Sequence, residues 1–252
     1  MTQKKTKGVE CSAPFVVLAI MCGRYHLTAP ADHVAALFGL SEAPKGFEAL
    51  FNIAPTQAVP VVRYHPHQGP RLDRLRWGLL PHWMENPLEA PLMINARQES
   101  AHEKPAFRAA LERRRCLVPA TGFYEWQKVG KTRVPHRIDF SAHPLFAFAG
   151  LWERWHPVGQ RPVESVAILT TKAAEPLASI HERMPVMLPP ESFAAWMSPR
   201  VQGRGTLASM MQTPSGALFR ATRVSERVNN TAHDDAECLV EAVSPGPLFS
   251  NS

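Results

Sequence analysis

The chain has 252 residues, of which 45% are hydrophobic and 20% charged, enough apolar material for a real core and too much for a disordered or fibrous polypeptide. Its net charge of +6 comes from 28 Lys and Arg against 22 Asp and Glu with no long basic block, which suits a polyanionic partner without requiring one. Four cysteines (Cys11, Cys22, Cys116 and Cys238) lie far apart without a C-x-x-C pair, which excludes a disulfide framework and a cysteine zinc site and points to a reducing, cytoplasmic setting.

In chain order, "KKTK" followed by the apolar run "APFVVLAIM" imitates the start of a signal peptide. Its end is wrong for export, because Ile20 and Met21 rather than small residues precede Cys22, and nine apolar residues are too few to span a bilayer. Residues 1–21 are therefore read as an extension, a leader or a misassigned start, expected to be absent from the mature protein. One domain is expected over residues 22–243, with a flexible tail at 244–252.

Helical spacing appears first in "PADHVAALFGL". Strand-like runs follow in "AVPVVRY", "RLRWGLL" and "PLMINA". In "PAFRAALERRR" a helix places Phe107, Ala110 and Leu111 on one face. Further strands are read in "RCLVPA", "FYEWQKV", "RVPHRIDF", "LFAFAGLWERW" and "VAILTTKA", the second and third forming a hairpin about Gly130. "PESFAAWM" reads as a helix opened by proline. The mixture is α+β and rich in strands, and 24 prolines argue against a helical bundle.

Polar residues set among apolar and aromatic ones recur in "MCGRY", "MINARQES", "GFYEWQ" and "SIHERMPVML". Each has a bland reading: Cys22 as a small buried hydrophobe, Asn95 as a strand-end hydrogen bonder, Arg97 as a surface cation. Glu125, between Tyr124 and Trp126, is either the outward residue of an alternating strand or a desolvated base. His181 reads equally as a solvated loop histidine or an acid-base group. His65 and His67 in "HPH" lack further ligands at zinc spacing, and neither a metal nor a cofactor is expected.

Taken together, "MCGRY", "FNIAPTQAVPVVR", "RWGLLPHW", "NARQES", "CLVPATGFYEW", "AFAGLWE", "ILTTKA", "HERMPVML" and "VSERVNN" resemble the SOS-response-associated peptidase (SRAP) family, the abasic-site processing proteins. Ser100 stands where the family usually has threonine, and the extension ahead of Met21 is the main departure. The resemblance implies a single β-rich α+β domain with short helices around a mixed, barrel-like sheet. It implies a DNA-repair protein that binds single-stranded DNA and captures abasic sites covalently, acting as a monomer in the cytoplasm or on the nucleoid. It further implies autoproteolytic exposure of the cysteine, with lyase-like chemistry at the same site.

On that resemblance the nucleophile is Cys22, and the other active-site groups are Asn95, Glu125 and His181. Arg24, Arg97 and Arg183 would meet phosphates, and Trp77, Trp83 and Trp126 offer flat faces for unstacked bases, although tryptophan in strands is more often core. An N-terminal cysteine carries an amine and a thiol on adjacent carbons, which can close a thiazolidine on the aldehyde of an opened abasic deoxyribose. An internal cysteine offers only an amide nitrogen, so the chemistry requires loss of everything ahead of Cys22. Two other functions fit the same residues: a cysteine peptidase acting on other proteins through Cys22 and His181, and a non-covalent single-stranded DNA-binding module.

Overall fold

The computed structural model describes residues 22–86, 91–159 and 161–242, so the expected extension (1–21) and tail (244–252) lie outside the described residues. The strands are β1 (Arg24–Leu27), β2 (Leu50–Ile53), β3 (Ala58–His65), β4 (Gly69–Trp77), β5 (Asn95–Arg97), β6 (Arg115–Ala120), β7 (Gly122–Val129), β8 (Thr132–Phe140), β9 (Phe146–Trp155), β10 (Val163–Lys172), β11 (Arg183–Pro185), β12 (Met187–Leu188) and β13 (Phe219–Arg223). The helices are α1 (Ala31–Phe38), α2 (Pro105–Arg113), α3 (Phe193–Met197) and α4 (Arg204–Met210).

Five strands close on themselves. β4 pairs with β3, β3 with β6, β6 with β9 and β9 with β10, all antiparallel, and β10 returns to β4 in parallel. Closure leaves no free edge within this ring, and the long apolar run of β9 is buried from Phe146 to Leu151 as a barrel wall requires. β5 and β11 add to β10, and β12 adds to β9. A second, wholly antiparallel sheet runs β13-β8-β7-β1-β2. The domain is therefore α+β, as its strand and helix signals indicate, with the mixed barrel that the family resemblance implies.

The two sheets meet through aromatic rings. Tyr25 of β1 sits edge-on to Trp77 of β4 at 5.3 Å and to Phe148 of β9 at 5.9 Å, and Phe123 of β7 meets Phe148 at 6.0 Å. Gly130 supplies the left-handed residue (φ 60°) of the β7–β8 hairpin, a conformation that strains other residues.

Arg115, at the start of β6, ties the helices to the barrel. It is 2% exposed and donates to the carbonyls of Trp196, Leu111, Glu112, Ser198 and Val201. These are carbonyls in or just beyond the last turns of α2 and α3, where partial negative charge gathers. Arg115→Leu should cost on the order of 3–5 kcal/mol, because the carbonyls lose their donors in a dry site; urea unfolding at pH 7 measures it, and a loss below about 1 kcal/mol would rule this account out.

His26 of β1 is buried, and burial, with a smaller contribution from Arg137, lowers its pKa from 6.5 to about 3. Below pH ~6.5 the unfolded chain takes up a proton that the folded chain refuses until about pH 3. Stability contributed by the neutral ring is thus full above that range and lost as pH falls through it, at up to about 1.4 kcal/mol per pH unit. His26→Gln should flatten the slope of unfolding free energy against pH between 6 and 4 by close to one proton.

Candidate functional site

Cys22 lies just ahead of β1, which pairs with β7 through Arg24↔Tyr124, Tyr25↔Phe123 and His26↔Gly122. Its backbone turns into the left-handed region (φ 44°), unusual for a residue with a side chain, and this leads the chain off the ladder towards Glu125. The Cys22 N–H donates to Glu125 Oε1 at 2.9 Å. Both residues are buried, at 3% and 5% exposure, so the carboxylate belongs to the interior rather than to an outward strand face. Burial pushes the Glu125 pKa up, opposed by the hydrogen bonds from Cys22 and, when its ring is protonated, by His181. The Cys22 thiol is raised well above its ordinary value by burial and then by Glu125, which keeps it neutral.

His181 sits in the loop leading into β11, and with Glu125, Phe123, Ile138, Ile180 and Arg183 it walls one narrow cleft. The Arg183 backbone N–H lies 3.1 Å from His181 Nδ1 and the Arg183 carbonyl 3.2 Å from the same atom. The proton of that N–H is fixed and the carbonyl faces the Cys22 thiol at 3.7 Å, so Nδ1 accepts and the imidazole proton resides on Nε2. Asn95 opens β5 one strand away, opposite Ile168 of β10, while β11 pairs farther along β10 at residues 170–172. Trp77 Nε1 donates to the carbonyl of Ile94 at 3.0 Å and so fixes the residue just before Asn95.

The SOS response associated peptidase (SRAP) family model matches residues 21–231. The chain belongs to that family. Among its relatives, the abasic site processing protein YoqW of Bacillus subtilis is 36% identical over 222 residues, covering 87% of this chain and 99% of the relative. The abasic site processing protein HMCES of Gallus gallus is 28% identical over 221 residues, 75% of this chain and 65% of the relative. A crystal structure from Bacteroides thetaiotaomicron shares the fold with a TM-score of 0.78 at 23% identity, covering 88% of this chain and all of that one.

The residues expected to face DNA have unlike surroundings. Trp77 is fully buried, so it has no free face for a base, and its place is the barrel core. Trp126 is half-buried, its indole N–H on Asn229 Oδ1 at 2.7 Å, with the Arg24 guanidinium 5.7 Å from its ring centre. Arg24 itself donates to Asn52 Oδ1 and to the carbonyls of Val228 and Asn229, tying β1 to the 226–229 turn. Arg183 forms a bidentate pair with Glu99. Arg97 is exposed without an ion pair among the described residues, and Trp83 is 54% exposed. His65 is paired with Asp73 at 2.7 Å.

Two features had been passed over in the sequence. Asn52 Nδ2 donates to the carbonyls of Val228, Asn230 and His233, while Asp234 accepts from the N–H groups of Phe51 and Asn52, and together they hold the turns at 228–234 over β2. Asn52 stands in "FNIAPTQAVPVVR" and the turn's polar "VNN" in "VSERVNN", but nothing local marks Asn52 or Asp234 as the tether. Glu99, inside "NARQES", was the other.

Because the folded pKa of Glu125 is raised, its contribution to stability is present below the unfolded value of ~4.3 and lost as pH rises through the folded one. Glu125→Gln keeps an oxygen for the Cys22 N–H and removes the charge. The variant should melt at or above the native temperature near pH 7, and the difference should vanish as pH falls to about 4. A variant less stable than native at pH 7 would mean that the carboxylate stabilises the fold.

Proposed function

We propose that the protein processes abasic sites in single-stranded DNA, as the names of its relatives describe for them, and that it captures the opened sugar through a Cys22 freed at its amino terminus. The observation that carries this reading is the 2.9 Å contact between the Cys22 nitrogen and the buried Glu125 carboxylate. In the mature protein that nitrogen is an amine, with a proton acceptor already in place and its thiol two carbons distant.

The Cys22 amine adds to the aldehyde carbon of the open deoxyribose, giving a carbinolamine. Glu125 takes the amine proton and returns it to the departing hydroxyl, so that water leaves and an imine forms. A raised pKa suits a group that must both accept and give a proton near neutrality. The thiol then adds to the imine carbon and its proton passes to nitrogen, closing the five-membered thiazolidine without any change of oxidation state. The neutral thiol waits until the imine has formed, and the closure is intramolecular. His181 offers Nε2–H to the ring oxygen of the closed sugar, favouring the aldehyde. Asn95 holds the amine or the sugar by hydrogen bonds, and Arg97 meets a phosphate.

Cys22 is exposed either by initiation at Met21 and methionine removal or by cleavage after Met21, and the chemistry is the same. A thiol attack, on another protein or on the bond after Met21, requires a thiolate, whereas burial and Glu125 favour the neutral thiol, which makes initiation at Met21 with methionine removal the simpler route.

Intact-mass analysis before and after mixing with single-stranded DNA bearing one abasic site tests the proposal. The product should begin Cys-Gly-Arg-Tyr and gain the mass of the strand less one water. Cys22→Ala should abolish the heat-stable adduct, and Arg97→Ala should weaken binding and lower the salt dependence by about one phosphate contact. A protein that retains residues 1–21 and still forms the adduct would end the requirement for a free amine.

A further inference from the structure

Glu99 has no part in the steps above, yet its geometry ties it to two groups that do. Its side chain is 51% exposed, a setting in which an ion pair adds little to stability. Even so, both oxygens are engaged: Arg183 Nη1 lies 2.7 Å from Oε1 and Nη2 2.9 Å from Oε2. Nη2 also donates to the carbonyl of Thr170 at 2.6 Å, on the strand that pairs with both β5 and β11. A planar fork held at both ends and pinned to a neighbouring backbone has its orientation fixed, which a single contact would not achieve.

What that fork carries is the backbone of Arg183. Its N–H meets His181 Nδ1, and its carbonyl receives the Cys22 thiol. The Arg183 side chain is thus the clamp and its main chain the jig for the acid and the nucleophile. The pairing with Arg183 holds the Glu99 carboxyl below its usual range, so it is ionised at working pH.

We propose that Glu99 is a positioning residue: by clamping Arg183 it sets the tautomer of His181 and the seat of the Cys22 thiol. The reaction served is the one proposed above; the clamp itself is independent of it.

Glu99→Gln and Glu99→Asp in the mature protein test this with three readouts. Nitrogen-15 NMR of His181 should show the Nε2–H tautomer in the native protein and an averaged pair of tautomers in Glu99→Gln. The single-turnover rate of adduct formation at saturating abasic DNA should fall roughly 10-fold in Glu99→Gln, the scale expected when an orienting partner is lost. Glu99→Asp, which keeps the charge, should fall between. Affinity for a strand carrying tetrahydrofuran, which has no aldehyde, should hold, since seating of the acid and the nucleophile is not needed for binding. An unchanged tautomer with an unchanged rate would overturn the proposal, as would a loss confined to affinity. If the native protein forms no adduct, the function above fails, and the tautomer comparison still decides the clamp.

Discussion

The Cys22 nitrogen and the Glu125 carboxylate lie within hydrogen-bonding distance although they are 103 residues apart, and much of the architecture serves to keep them so in a dry place. β1 and β7 must approach closely, and a side chain in the wrong position would push them apart. Gly122 is where the approach is tightest: a Cβ there would lie 2.2 Å from His26 Nε2 and 2.9 Å from the Ile138 carbonyl. Because glycine stands there, β1 lies flush on β7, and the chain just ahead of it arrives at Glu125. Tyr25 and Phe123, on the same two strands, then bind the pair to Trp77 and Phe148 of the barrel. Packing of this kind resists adjustment, so the site inherits the rigidity of the core.

Burial sets the electrostatic character of the site as well as its position. A carboxylate removed from water favours its protonated form, and so does the nearby thiol, so the two acids compete for little negative charge. The hydrogen bonds from Cys22, and the charge of His181 when its ring is protonated, only partly offset the cost of ionising Glu125. Such a group is poorly placed for stability and well placed for proton transfer near neutrality, the usual conflict at a functional site.

The strands of the barrel were legible because they carry their own signals, whereas their closure into a barrel was implied only by the family resemblance. β6 coincides with "RCLVPA", and the β7–β8 hairpin turns at the expected Gly130, since β-branched runs bounded by turn residues report local preference. β1, β2, β11 and β12 have no more than four residues each, and such segments become strands only when a neighbour supplies the ladder. The same limit applied to the site. Cys22, Asn95, Glu125 and His181 were named from motifs, but the burial of Glu125 was undecidable locally: β7 is covered on both faces from Gly122 to Glu125, so alternation carries no information there. Trp77 misled for a related reason, as an indole in a strand looks alike whether its N–H meets a buried carbonyl or its face meets a base.

Arginine is the residue type for which sequence was least informative, and the reason is physical. Arg24, Arg115 and Arg183 all donate to backbone carbonyls, where five rigid N–H groups can satisfy several acceptors at once. At Arg115 the carbonyls come from the ends of two helices, at Arg24 from the turn that closes over β1, and at Arg183 from a barrel strand. A basic chain can therefore spend its cations internally, and its net charge overstates what is left for a polyanion. Within the family motifs, "NAR" and "HER" look like equivalent phosphate contacts, yet Arg97 is open to solvent while Arg183 is held by Glu99 and Thr170. The difference originates in one carboxylate two residues beyond Arg97, which gives Arg183 a protein partner that Arg97 lacks among the described residues. Whether an arginine meets DNA is thus decided by which acceptors the fold has already brought to it, and only the three-dimensional arrangement discloses them.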